Sequence, residues 1–306
     1  MESVYRNFYR NFYQRTGGFI PGKPINLSVF PGDFFQIKNG EILQLGNIFR
    51  NNIVEPENVN FGYGSKLNPA SWDFSDGVSK PYSGRGVGSG PIEGEFEYSK
   101  QVLAFSKKGS FLFRGLNPES VKILNWIELE QQLIIKLTQT LFSFRELYVV
   151  TESATTSEWT LAISGSEKGE LEIATDKENF GLLDIFGHHS SKTIQSKDID
   201  YYHREAKRKP TFFKAKKLVV QEDKAEYFIS ELLQQRLNQN EWAAEFFEYD
   251  FQCDPVYMPQ IRSNEQAGIL DMLQANELNP NTALDYFRWI DANMDDIEKL
   301  FTDNGA

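Results

Sequence analysis

Cysteine is nearly missing from this chain. Cys253 is the one thiol in 306 residues, which excludes an internal disulfide framework and any Cys-based zinc cluster, and suits a reducing compartment. Cys253 has no evident base partner in sequence and reads as a packed or exposed thiol. Histidine is almost as scarce: His188, His189 and His203 lie close together and leave few options for His-dependent catalysis. Adjacent residues on a strand face opposite ways, and no carboxylate spacing supports His188 and His189 as metal ligands, so they read as a solvated loop pair. No apolar run approaches the roughly 18–20 residues of a transmembrane helix, and no signal peptide pattern opens the chain. The expectation is a protein made in soluble form in the cytoplasm. Enzyme signatures are missing too: no G-x-G-x-x-G after a strand, no P-loop, no G-x-S-x-G and no H-E-x-x-H. Gly84-Arg85-Gly86-Val87-Gly88 is glycine-rich but lacks the P-loop Lys-Ser/Thr, and reads as a flexible loop. The chain is therefore expected to be no enzyme, to need no cofactor and to hold no metal.

What is plentiful is aromatic. Phe, Tyr and Trp make up 14% of the chain, with 25 Phe, more than a soluble core normally needs. Hydrophobic residues at 40% and charged residues at 25% are ordinary globular material. The charge is divided along the chain. Residues 1–220 hold 27 Lys+Arg against 25 Asp+Glu, while residues 221–306 hold 5 against 18. An acidic tail beside a neutral-to-basic body is either a solubilising appendage or a mask over a basic surface.

The opening segment, VYRNFYRNFYQRTGG, repeats every four residues. On a helix Tyr5, Tyr9 and Tyr13 share one line, Arg6 and Arg10 the next, and Phe8 and Phe12 lie beside them, until Gly17 and Gly18 stop it. With no acidic residue between Val4 and Arg15, such a helix suits anionic headgroups; equally, it suits a terminal helix that packs its aromatics on the body.

Strands follow: PINLSVF, DFFQI and EILQLGNIF, separated by Pro31-Gly32 and the hairpin dipeptide Asn39-Gly40. Loops with short strands fill about Asn51 to Pro91. IEGEFEYSK alternates Ile92, Gly94, Phe96 and Tyr98 with Glu93, Glu95 and Glu97, and Lys107-Lys108-Gly109 is expected to turn it into SFLFRG as a long hairpin. Asn117-Pro118 is expected to open a helix to about Phe144, burying Leu124, Ile127, Leu133, Ile134, Leu137 and Leu141. ELYVVTE is a dense β run. WTLAISGSEKGELEIAT then reads as a second hairpin, with Trp159, Leu161 and Ile163 alternating before a Gly/Ser turn and Leu171 and Ile173 after it. Beyond Val220 the segments AEYFISELLQQRLNQNEWAAEFFEYDF and NEQAGILDMLQAN read as helical. So does Asn281–Phe301, with the stripe Leu284, Phe287, Ile290, Met294, Ile297 and Leu300 flanked by Asp285, Asp291, Asp295, Asp296 and Glu298. The expected fold is α+β: a twisted, mostly antiparallel sheet with packed helices over residues 1–222, then a small all-helical acidic tail over 223–306.

The basic run is the strongest local signal. Arg204, Lys207, Arg208, Lys209, Lys214, Lys216 and Lys217 fall together, opposed only by Glu205. Such a patch binds phosphates, in lipid headgroups or in nucleic acid, where Tyr201, Tyr202, Phe212 and Phe213 could stack on bases.

Taken in order, these segments resemble the amino-terminal, pore-forming domain of the gasdermin family. The aromatic and basic first helix followed by GGFIP, the strand pair with Phe34 and Phe35, IFRNNIVEPE, ELYVVTE and TFFKAKKLVV carry the resemblance. It implies a protein held inactive in the cytoplasm by its carboxy-terminal part. Once released, usually by a protease, the body binds acidic membrane lipids at the inner face of the cell membrane. There it assembles into a large homo-oligomer and turns two amphipathic hairpin regions into a membrane β-barrel, causing lytic, defence-related cell death of the pyroptosis or antiviral kind. Lipid contact falls to Arg6, Arg10, Arg15, Arg204, Lys207, Arg208, Lys209, Lys214, Lys216 and Lys217, and membrane contact to Tyr5, Phe8, Tyr9, Phe12, Phe34 and Phe35. Inhibition falls to the stripe Leu284, Phe287, Ile290, Met294, Ile297 and Leu300, and no nucleic acid is expected as partner. Residues 221–306 do not resemble the large inhibitory domain of vertebrate members and are longer than the short inhibitory peptide of many bacterial ones. The alternative reading is a lipid- or nucleic-acid-binding module with a regulatory helical tail and no pore.

Overall fold

The computed structural model describes residues 3–90, 94–140, 147–175, 186, 191–221, 224 and 280–301. Helix α1 (Ser3–Thr16) is followed by β1 (Ile20–Pro21), β2 (Asp33–Lys38), β3 (Glu41–Asn47), β4 (Phe61–Lys66), β5 (Asp73–Asp76), β6 (Val78–Gly90), β7 (Gly94–Phe105), β8 (Phe111–Leu116) and β9 (Glu119–Ile123). Then come α2 (Trp126–Thr140), β10 (Leu147–Thr155), β11 (Glu158–Ser164), β12 (Glu170–Thr175), β13 (Ser191–Lys197), β14 (Ile199–Glu205) and β15 (Phe212–Val220). The last described elements are α3 (Pro280–Tyr286), β16 (Phe287–Asp291) and α4 (Met294–Lys299). The fold is α+β and its strand pairs are antiparallel.

One wide sheet runs β1-β15-β10-β2-β3, with β16 beside β15 and with β9 and β4 continuing from the far end of β10. The β2–β3 hairpin turns at Asn39-Gly40 as its sequence dictates. Both residues hold positive φ, 50° and 75°, which matches the twist of the flanking strands. PINLSVF is not a strand; it runs irregularly and contributes Ile25 and Val29 to the core.

The two long hairpins are built differently from the sequence expectation. Strand β7 does not turn back into β8. It pairs with β6 and β12, while β8 pairs with β5 and β11. The same holds for β11 and β12, which pair with β14 and β13. Each expected turn is a bend within one continuous path. Residues 73–90, 94–116, 158–175 and 191–205 form four such paths, side by side in the order β14/β13, β11/β12, β8/β7, β5/β6. All four bend at one level, at Gly77 (φ 65°), Gly109 (φ 78°), Lys168 (φ 70°) and Asp198 (φ 54°). Hydrogen bonds from Ser106 N–H to Gly77 O, Gly109 N–H to Ser164 O and Gly165 N–H to Asp198 O stitch the crease across. The sequence signal was real but ambiguous: Gly, Lys and Asp at positive φ serve a bulge as well as a turn. Strands β6 and β7 stay paired as far as Gly90 opposite Gly94. The glycine-rich stretch expected as a loop sits inside β6, where Gly84 pairs with Lys100 and Gly88 with Phe96; ladder bonds override its poor strand propensity.

Asn117-Pro118 opens no helix. Asn117 takes a left-handed turn (φ 47°) and Pro118 leads into β9, which is zipped between β4 and β10. The helix starts after Asn125 instead, whose side-chain oxygen accepts from Asn60 N–H at 2.8 Å. Starting late moves Leu124 and Ile127 out of the core, to 57% and 83% exposure, while Leu133, Ile134 and Leu137 are buried. Leu141 lies outside the described residues.

The aromatic excess fills the interior. Under α1, Phe8, Phe12, Trp72, Phe111, Phe113 and Phe212 pack ring to ring, with Phe12 stacked on Phe212 at 4.7 Å. A second core lies between α2 and the wide sheet, with Leu133, Leu137 and Val149 at its centre. A third, smaller one joins the two sides of the crease: Leu112 and Ala162 below it, Leu103, Phe105, Leu171 and Ile173 above.

The tail differs from expectation as well. Asn281–Phe301 is not one helix and the described tail is not all-helical: α3 gives way to β16, then to α4. Strand β15 has β10 on one side from Phe212 to Leu218, while β1 covers only the first part of the other side, at Phe212 and Phe213. The remaining edge, Lys216–Val220, is filled by β16, which satisfies backbone groups an edge strand would leave open. Asn293 then caps α4, accepting from Asp295 and Asp296 N–H. The expected helices between residues 225 and 278, together with Cys253, His188 and His189, lie outside the described residues.

Candidate functional site: the C-terminal strap and its cations

Each position of the Tyr-Arg-Asn-Phe repeat has its own task. The rings of Phe8 and Phe12 enter the first core. Tyr9 is buried and its hydroxyl donates to Gly22 O at 2.7 Å; burial holds its pKa well above the ordinary tyrosine value. Arg6 and Arg10 project from the exposed side, and both guanidinium groups reach the carboxylate of Glu298 on α4. Asn7 points the other way, donating to Asp76 Oδ2 at 2.8 Å and Gly109 O at 3.2 Å. Tyr13 hydroxyl donates to Ala292 O at 3.2 Å.

The centre of the site is Asp296, 1% exposed. Its Oδ1 accepts from Lys217 Nζ at 2.7 Å, Tyr148 hydroxyl at 2.8 Å and Lys299 Nζ at 3.4 Å, and its Oδ2 accepts from Asn293 N–H at 2.9 Å. Tyr148 and Lys217 are directly opposite on β10 and β15, which is why one carboxylate reaches both. The Tyr148 ring is fixed in turn by stacking on Phe35 at 5.0 Å and 8°. Burial would push the Asp296 carboxyl up, but the bonds from Lys217, Asn293 and Tyr148 outweigh it and hold it below the usual range. Glu298 follows the same logic: burial opposes ionisation, and Arg10 and Arg6 prevail.

Around this centre the tail is held along its described length. Lys216 pairs with Asp291 at 2.9 Å, and Lys23 Nζ donates to Leu300 O and Gly40 O while lying 4.8 Å over the Phe301 ring. Ala292 N–H donates to Ala215 O, and Gln221 N–H to Tyr286 O. Ile297 and Leu300 are buried in the first core with Met294 packed against it; Phe287 is buried in the second core with Leu284 packed against it. Ile290 is half-buried, opposite Lys217 in the ladder. Trp289 packs edge-on against Trp126 at 5.3 Å and donates from Nε1 to Glu130 O. The whole expected stripe therefore meets the body, through a helix-strand-helix strap rather than one helix.

The expected lipid contacts are spread out. Arg6, Arg10, Lys216 and Lys217 gather under the strap. Arg204 pairs with Glu158, Arg208 with Glu119 at 2.9 Å, Lys209 with Glu205 at 2.6 Å and Lys214 with Glu152 at 3.7 Å. Arg15 and Lys207 are exposed. In this conformation the rings of Phe8, Tyr9, Phe12, Phe34 and Phe35 are core side chains, and Tyr5 is half-buried against Tyr201, so contact with a membrane requires these elements to move. Sequence reading grouped Asp296 and Glu298 with the acidic flanks and passed over Tyr148, Lys23 and Asn7. Nothing in one dimension marks a tyrosine and a lysine nearly seventy residues apart as partners of one carboxylate.

No protein-family model matches the chain, and no curated protein matches it. Among solved structures, the cryo-EM structure of the gasdermin A3 membrane pore is similar over 62% of this chain and 76% of that chain, at 10% identity and a TM-score of 0.26. A likeness that loose fixes neither fold nor function, and the functional reading rests on the geometry of the strap and the crease.

Proposed function

We propose that this chain is a pore-forming protein of the gasdermin kind, working without catalysis, in which the C-terminal strap holds the body inactive. The observation that carries the reading is the set of four creased paths. The outer strands β6 and β7 have 13 and 12 residues, enough to cross a bilayer, which takes about 9–11 tilted residues. They are already paired in ladders, so a barrel needs the paths to extend and join those of neighbouring copies, leaving no edge open in lipid. No described helix is long and apolar enough to cross a membrane.

The strap supports the inhibitory half of the reading. It covers Arg6, Arg10, Lys23, Lys216 and Lys217 with carboxylates or a carbonyl, and an anionic lipid surface would compete for the same cations. Release, by a protease or otherwise, frees them for the inner face of the cell membrane and leaves the body to oligomerise and lyse the cell. The test is expression of the full chain beside residues 1–220. The account expects the shorter chain to kill the cells that make it and the full chain to be tolerated; equal toxicity of the two would remove the inhibitory role.

A further inference from the structure

We infer that α1 is the pin that couples the strap to the crease, with Asn7 the residue that holds the crease shut. The inference rests on the inhibitory reading above and adds to it the element that transmits release. Two faces of one helix carry it. On one, Arg6 and Arg10 are held by Glu298 of α4, and Tyr13 by Ala292 O. On the other, Asn7 donates to Asp76 at the end of β5 and to the carbonyl of Gly109, joining the first two paths within a residue of their bends. Asn11 donates to Asn7 Oδ1 at 3.0 Å and to its carbonyl at 2.9 Å, so the Asn7 amide is oriented with its nitrogen toward the crease. Tyr5 reaches the fourth path through its ring, which lies edge-on to Tyr201 at 5.8 Å, three residues from the bend at Asp198. Lys107 closes the same corner from the crease itself, 3.5 Å from Asp76.

A helix of 14 residues is marginal by itself; Phe8, Tyr9 and Phe12 bury α1 in the first core, and the bonds on its two polar faces set how it sits there. Freeing Arg6 and Arg10 loosens the helix as a body, and the amide of Asn7 moves with it. Because such coupling is a free energy between two sites, it runs in both directions. Loss of the Asn7 bonds must loosen the strap just as loss of Glu298 loosens the crease.

The experiment is hydrogen exchange, read by mass spectrometry, on the full chain and on Asn7→Ala and Glu298→Gln, with folding checked by circular dichroism. Two regions are followed: the crease, residues 73–78 and 106–110, and the strap, residues 292–301. Each variant is expected to raise exchange several-fold in both regions, the distant one included. The inference is overturned if Asn7→Ala loosens only the crease and Glu298→Gln only the strap, the result expected of two local contacts. If Asn7→Ala does not fold, Asn11→Ala, which releases the Asn7 oxygen but keeps its donors, is expected to raise exchange in both regions by a smaller factor, and a change confined to α1 overturns the inference. Dye release from acidic vesicles by the same variants is a separate readout. Two-way coupling without leakage leaves the pin in place and counts against the pore.

Discussion

Lys217 Nζ lies 2.7 Å from Asp296 Oδ1, with Asp296 fully inside the protein and Lys217 nearly so; the pair joins the last described helix to the middle of the main sheet. A buried ion pair gains little over a well-packed apolar pair of the same shape, but removing one partner strands the other without water. That asymmetry makes it a latch that holds well and fails abruptly.

Asp296→Ala is therefore expected to cost about 3–5 kcal/mol, the usual penalty for leaving one buried charge unpaired. Replacing both partners, as Lys217→Met with Asp296→Leu, should cost much less than the sum of the single changes. Urea denaturation of Asp296→Ala, of the double variant and of its two single changes checks this; an Asp296→Ala variant as stable as the parent would show that the pair holds nothing.

The same carboxylates set a pH dependence. Asp296 and Glu298 are both held below the ordinary carboxylate range. A group whose folded pKa is depressed stabilises the fold above its unfolded pKa, about 4, and that contribution is lost as pH falls through the folded value. His203 is also held low, chiefly by burial beside Trp159, and adds a fall beginning nearer pH 6.5. Urea midpoints at pH 7, 5 and 3 should drop most sharply in the last step, and the Asp296→Ala variant should lose part of that drop. A parent and variant that fall in parallel down to pH 3 would contradict the assignment.

Charge reversal separates the two groups of cations. Near an anionic membrane each Lys or Arg is worth about 1 kcal/mol, so changing Arg6, Arg10, Lys207, Arg208 and Lys209 to Glu in a chain ending at residue 279 should abolish binding to acidic vesicles. Reversing Arg6 and Arg10 alone in the full chain should instead repel Glu298 and loosen the strap. Vesicle flotation measures both, and unchanged binding by the fivefold variant would place the lipid site elsewhere.

Proline within the outer strands tests the spanning paths. A proline at Leu103 in β7 or Glu172 in β12 removes one ladder donor that lipid cannot replace. Leakage should stop while vesicle binding persists; normal leakage would mean that other segments span.

Much of this fold could be read from the chain, and the misreadings share a cause. The repeat of α1, the Asn39-Gly40 hairpin and the dense run of β10 are local signals, and local signals survive folding. The bends at Lys107–Gly109 and Ser164–Gly169 were visible as breaks, but whether a break reverses a strand or merely bends it depends on which neighbour it pairs with. Phe287–Asp291 has helical spacing in its sequence and becomes a strand because β15 offers it an open edge. Of the site, the stripe and the basic run were legible, whereas Asp296 gained its meaning only from Tyr148 and Lys217 across two strands.

The direct test of the central claim is dye release from acidic vesicles by the full chain and by a chain ending at residue 279. Substituting Phe287 and Ile290 with Asp gives an intermediate case, since the buried Phe287 contributes about 2–3 kcal/mol to holding the strap and the half-buried Ile290 less. The account predicts little release from the full chain, more from the double variant, and rapid release from the truncated chain, abolished when the vesicles carry no anionic lipid. A truncated chain that stays folded, binds the same vesicles and releases nothing would contradict it.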